Sequence, residues 1–147
     1  MQEFAQRLWE CLAADPRPLR CHPQANGVGH LATAAPLAWG TPLSSIEDPA
    51  LRPPFDVVLA SDVLYQAEAL PLFVSTLQEL SGPHTLTLLC NEHRPALPFP
   101  WLLFRQAGFD VRLVPLSEQH PDWRSEDIHL FHIRLAGSSS NSRSAVE

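Results

Sequence analysis

The stretch Phe55-Asp56-Val57-Val58-Leu59-Ala60-Ser61-Asp62-Val63-Leu64-Tyr65 constrains the fold more than any other part of the chain. Its first half is a run rich in Val and Leu, set off by Pro53-Pro54. A short continuous apolar run bounded by turn signals predicts a strand buried on both faces. Strands of that kind belong to parallel sheets covered by helices. The run turns polar at its carboxyl end, with Ser61, Asp62 and Tyr65. In open parallel sheets, ligands bind outside the carboxyl ends of the strands. The carboxylate and the phenol therefore mark the place to look for chemistry. The same residues admit a plainer role, with Asp62 capping the next helix and Tyr65 half-buried with its hydroxyl in water. Both readings stand on these residues alone.

Downstream, Leu70, Phe73, Val74, Leu77 and Leu80 recur at helical spacing and predict a helix over 67–81 with one buried face. Pro71 suits its first turn, and Gly82-Pro83 ends it. Thr85 to Cys90 is a second β-type run, predicting a strand over 85–91 that again ends polar, in Asn91-Glu92-His93-Arg94. Strand, helix, strand is a βαβ unit, with parallel strands and a right-handed crossover. A second helix is predicted over 97–107, carrying Trp101 and Phe104, with Gly108 as its C′ residue. Phe109 to Leu113 alternates as a strand, predicted over 109–114, and a last strand is predicted over 127–135. Only a loop, Pro115 to Ser125, separates these two, so they should pair antiparallel.

The amino-terminal part is less defined. Phe4, Leu8, Cys11 and Leu12 suggest a short surface helix over 1–14, stopped by Asp15-Pro16. Prolines and glycines make 15–30 a loop. Leu31 to Leu37 is a weak strand, confined to a sheet edge by Pro36. Trp39-Gly40 follows, either as a platform for a flat ligand or as plain core. The expected organisation is a leader over 1–18, one domain over 19–135, and a Ser-rich, disordered tail over 136–147.

Composition narrows the function. The 147 residues suit one domain, and 45% hydrophobic with 18% charged residues supports a packed core. The formal net charge is -6 and the sequence holds no lysine, which argues against a nucleic-acid grip and leaves a protein partner open. The three cysteines, Cys11, Cys21 and Cys90, show no CxxC spacing, so neither a disulfide framework nor a zinc knuckle is expected. Nothing reads as a signal peptide or a membrane span. A soluble protein of the cytoplasm, with the nucleus as a second compartment, is expected.

No metal site is expected either. His129 and His132 lie three apart on a predicted strand and so point to opposite faces, while His84 and His93 flank a strand from opposite ends. Ser44-Ser45 and the Ser-rich tail lack the context of a catalytic nucleophile. Glu92 and Arg94 read as solvated charges on the rim of the expected site.

The element order, βα-βα-β-loop-β, resembles the second half of the seven-β-strand methyltransferases, a Rossmann-like α/β class that uses S-adenosylmethionine. Within that class the chain resembles the protein-lysine methyltransferase-like family. That family carries an LxWG motif before its fourth strand and an acidic-x-x-Tyr motif at that strand's end. Here they stand as Leu37-Ala38-Trp39-Gly40 and Asp62-Val63-Leu64-Tyr65. The stretch Gln24 to Val28 looks like the family's helix end before the third strand, and the segment from His120 to Ile128 resembles its last hairpin. The resemblance implies that Trp39 lies against the adenine side of the cofactor, that Ser61 faces the cofactor, and that Asp62 and Tyr65 line the junction of cofactor and target lysine.

The departure from the family is large. No GxGxG appears; Gly27-Val28-Gly29 sits in a Pro-rich stretch. The first two strands and the acidic residue for the ribose have no match. The chain thus reads as the family's carboxyl half, expected to bind cofactor poorly and to be inactive as it stands. Its fourth-strand equivalent is expected to be an exposed edge that promotes self-association. The rival expectation is a non-catalytic protein-interaction fragment of the same fold.

Overall fold

The computed structural model describes residues 37–45, 52–95 and 98–137. The expected 1–14 helix, the weak strand before Leu37, the stretch Gln24 to Val28 and the tail beyond Gly137 lie outside the described residues. The chain divides into two compact units, Met1–Thr41 and Pro42–Glu147. Only the last residues of the first unit are described.

The described residues of the second unit form a mixed α/β sheet with two helices. The chain runs through a 3-10 turn (Leu43–Ser45), β1 (Phe55–Ser61), a second 3-10 turn (Ala67–Ala69), α1 (Leu70–Leu80), β2 (Ser81–Glu92), α2 (Trp101–Gln106), β3 (Phe109–Leu113), a third 3-10 turn (Leu116–Glu118) and β4 (Ile128–Leu135). The strand order is β1-β2-β4-β3. β1 and β2 are parallel, as the βαβ pattern requires. β4 runs antiparallel to β3, and it also inserts against β2, pairing Thr87 with Ile133 and Leu89 with Phe131. The predicted fold class is present, a parallel pair followed by antiparallel strands.

Three features differ from expectation. β2 begins at Ser81, so Gly82-Pro83 falls inside the strand and not between helix and strand. The register there jumps from Phe55↔Ser81 to Val57↔Leu86. This irregularity brings Gly82 against Pro54, where an added Cβ would stand 2.6 Å from the proline Cβ. Thr85 closes the corner: its hydroxyl donates to the carbonyl of Phe55 and accepts the Gly82 N–H at 2.7 Å. Next, α2 starts at Trp101, not 97, because Pro100 biases Phe99 out of the helical region. Its end is as expected. Gly108 has φ +80° with open space around it, so the backbone angle, not crowding, calls for glycine.

The third difference concerns burial. β1 is not buried on both faces; Val57 is 53% and Leu59 75% exposed. Both helices lie on the other side of the sheet. α1 buries Leu70, Phe73, Val74 and Leu77, and its Phe73 meets Phe104 of α2 edge-on at 6.4 Å. Phe104 packs on Phe109 and Phe99, and Phe99 stacks on Phe131 of β4 at 4.1 Å. Thr87, Leu89, Phe131 and Ile133 complete this core. Strand residues alternate between faces, so Leu59, Ser61, Leu88 and Cys90 share the opposite face by register. Among the described residues no helix covers that face.

Candidate functional site

The carboxyl end of β1 is fixed by the end of β2. The Asp62 N–H donates to the carbonyl of Cys90 at 2.8 Å, carrying the ladder one residue past the strand. Asp62 then turns with φ +51°, a left-handed conformation that Asp tolerates better than most residues. The Leu64 N–H donates to Asn91 Oδ1 at 3.3 Å, and the Leu64 side chain is buried. This anchor leaves its neighbours outside. The Asp62 side chain is 54% exposed and Tyr65 is 45% exposed. Ser61, opposite Cys90, joins Leu59, Ala60, Leu88, Cys90 and Leu130 around a shallow, mostly apolar depression.

A cation sits on the Asp62 carboxylate. Arg94 Nη2 donates to Asp62 Oδ1 at 2.9 Å and Oδ2 at 3.1 Å. The same nitrogen and Nε also donate to Glu92 Oε2, at 3.0 and 3.1 Å. The Glu92 hydrogen bond raises the Arg94 pKa further above its ordinary value, against some loss of solvent and with help from the Asp62 charge. The guanidinium is thus a permanent charge. Burial, and then the Asp62 charge, push the Cys90 thiol up, so it stays protonated near neutrality.

The histidines separate. His129 lies against His93 with ring centroids 4.6 Å apart and planes tilted by 34°, while His132 Nδ1 lies 3.0 Å from Arg112 Nη2. Trp39 belongs to the first unit. There Ala38 to Thr41 form a turn, with the Thr41 N–H donating to the Ala38 carbonyl at 3.1 Å and Gly40 at φ +83°. That angle explains the glycine of this tetrapeptide, since the third turn residue needs a left-handed backbone. Ser61, Asp62 and Tyr65 come together on one strand end. Arg94 joins them from beyond the next strand, although its sequence position suggested only a solvated rim charge.

These two motifs lie within residues 23–99, the segment matched by a family model described as lysine methyltransferase. The chain belongs to the lysine methyltransferase family. Membership implies S-adenosylmethionine as the methyl donor. The described residues of this family member fit one part of that group. The Asp62 carboxylate suits the neighbourhood of a sulfonium cation, and the depression beside Ser61 is apolar. The amino-acid end of the group calls for clustered N–H donors at a helix N-terminus. Among the described residues, the turn into α1 through Gln66 to Ala69 makes no side-chain cap and holds no glycine that would let backbone approach a carboxylate.

Proposed function

We propose that the chain carries the amine-accepting side of a protein-lysine N-methyltransferase. The observation that supports this most is Asp62, turned outward at the carboxyl end of β1 within the segment matched to the family. Bound S-adenosylmethionine supplies an electrophilic methyl group. The chain's own work is to aim a neutral lysine amine in line with that group and to keep water away. Asp62 accepts a hydrogen bond from the amine and orients its lone pair. Tyr65 provides an aromatic wall that favours a cation beside it. Ser61 faces the cofactor. The target lysine is not one of this chain's own residues, since the sequence contains none.

Cofactor affinity of this chain is low in the same proposal, since no GxGxG occurs in the sequence. Two-dimensional NMR of the full chain with millimolar S-adenosylmethionine tests both parts. Shifts concentrated at Ser61 to Tyr65 are expected. Shifts elsewhere, or none, would reject the site. Saturable micromolar binding by calorimetry would reject the low affinity.

A second reading, a non-catalytic interaction fragment, is favoured by one feature. β1 ends the described sheet and presents Leu59 at 75% exposure, which suits strand addition by a second copy. Sedimentation of the purified chain across a concentration series separates this reading from a monomer.

A further inference from the structure

The Asp62 carboxylate, proposed above as the partner of the target amine, already has a cationic neighbour. Arg94 spans two carboxylates: Glu92 holds both Nε and Nη2, and Nη2 alone reaches Asp62. The guanidinium therefore has an anchor of its own. It can yield the Asp62 oxygens without leaving the site. The cluster of Asp62, Glu92 and Arg94 carries one net negative charge, with Arg94 29% exposed.

An incoming lysine side chain meets this arrangement in one of two forms. As ammonium, it must place a positive charge beside a permanent guanidinium, and like charges at such range repel. As neutral amine, it donates to Asp62 without that repulsion. Methyl transfer needs the neutral form, because the attacking lone pair must be free. We propose that Arg94 is a positioning residue that weakens the preference of Asp62 for an ammonium over a neutral amine. It acts through the carboxylate and is held ready by Glu92. The lysine proton leaves to solvent before the amine settles, so no further base is required of the chain.

This inference rests on Asp62 as the amine's partner, and the experiment separates the two. The probes are butylamine, charged at mildly alkaline pH, and trifluoroethylamine, neutral at the same pH. Each is titrated into the full chain while the carboxyl carbon resonance of Asp62 is followed by NMR. Arg94→Gln should tighten the charged probe about two- to fivefold, the scale of a surface ion pair, and leave the neutral probe unchanged. Arg94→Lys should restore the parent ratio. An equal change for both probes, or no change for either, would overturn the role of Arg94 while leaving Asp62 as an amine site. No response of the Asp62 resonance to either probe, in parent or variant, would overturn both claims together.

Discussion

The two faces of the sheet are built from the same kinds of residue and behave differently. Leu59 and Leu89 sit one strand apart, both in apolar runs; Leu89 is 0% exposed and Leu59 75%. Leu89 faces Phe131, the phenylalanine cluster and the helices, whereas Leu59 faces the side that no described helix covers. Hydrophobicity of a strand thus signals that it can be buried, and the helices decide which face is. The functional residues follow the same division. Ser61 and Cys90 share the bare side with Leu59, and Asp62 leaves the strand immediately after it.

The largest test of this contrast is Phe104→Ala. Phe104 is 0% exposed and touches Phe73, Phe99 and Phe109. Its removal leaves a cavity between both helices and the sheet and should cost about 3–5 kcal/mol of unfolding free energy. Denaturant unfolding measures it. A cost under about 1 kcal/mol, the ordinary centre of substitution effects, would mean that the covered face is not the core.

A smaller effect, confined to acid, should come from His132. Burial, then the charges of Arg112 and Arg134, push its pKa below the ordinary value, and Glu118 works the other way. The neutral ring can accept from Arg112 Nη2, 3.0 Å away. In the window between the folded and ordinary values the unfolded chain binds more protons, so stability rises with pH there. The contribution is fully present above the ordinary histidine pKa and is lost as pH falls below it. Thermal melts from neutral to mildly acidic pH should show a shallower loss for His132→Asn than for the parent. An identical pH slope in the two proteins would remove His132 from the account.

Much of this fold is legible in the sequence, and the illegible parts share a cause. The span of α1 follows from the spacing of Leu70, Phe73, Val74 and Leu77, and the glycine at the end of α2 from its place after the last helical turn. Those signals are local. The insertion of β4 between β2 and β3 is not, because an alternating strand carries no label of its neighbours. Asp62 and Tyr65 stand out at a strand end. Their dependence on Asn91 and Arg94 appears only when β2 is laid beside β1, since 32 residues separate Arg94 from Asp62. The start of α2 is legible as well: Pro98 and Pro100 disfavour helix at the residues before them, where apolar periodicity alone would extend it.

The smallest expected effect is also the sharpest check on the bare face. Leu59→Ser removes a large apolar side chain from the middle of a strand, a change that in a core typically costs several kcal/mol. At 75% exposure Leu59 has little contact to lose, and β1 keeps its backbone ladder to β2 through Leu59↔Leu88. Surface substitutions away from special features stay within about 0.5 kcal/mol. Leu59→Ser should therefore leave the unfolding midpoint nearly unchanged while reducing any concentration-dependent association of the chain, because an exposed leucine on a terminal strand is what a second strand would cover. A loss above about 2 kcal/mol on the same scale would show that Leu59 is covered in solution, and the difference between the two faces would then be one of partners and not of burial.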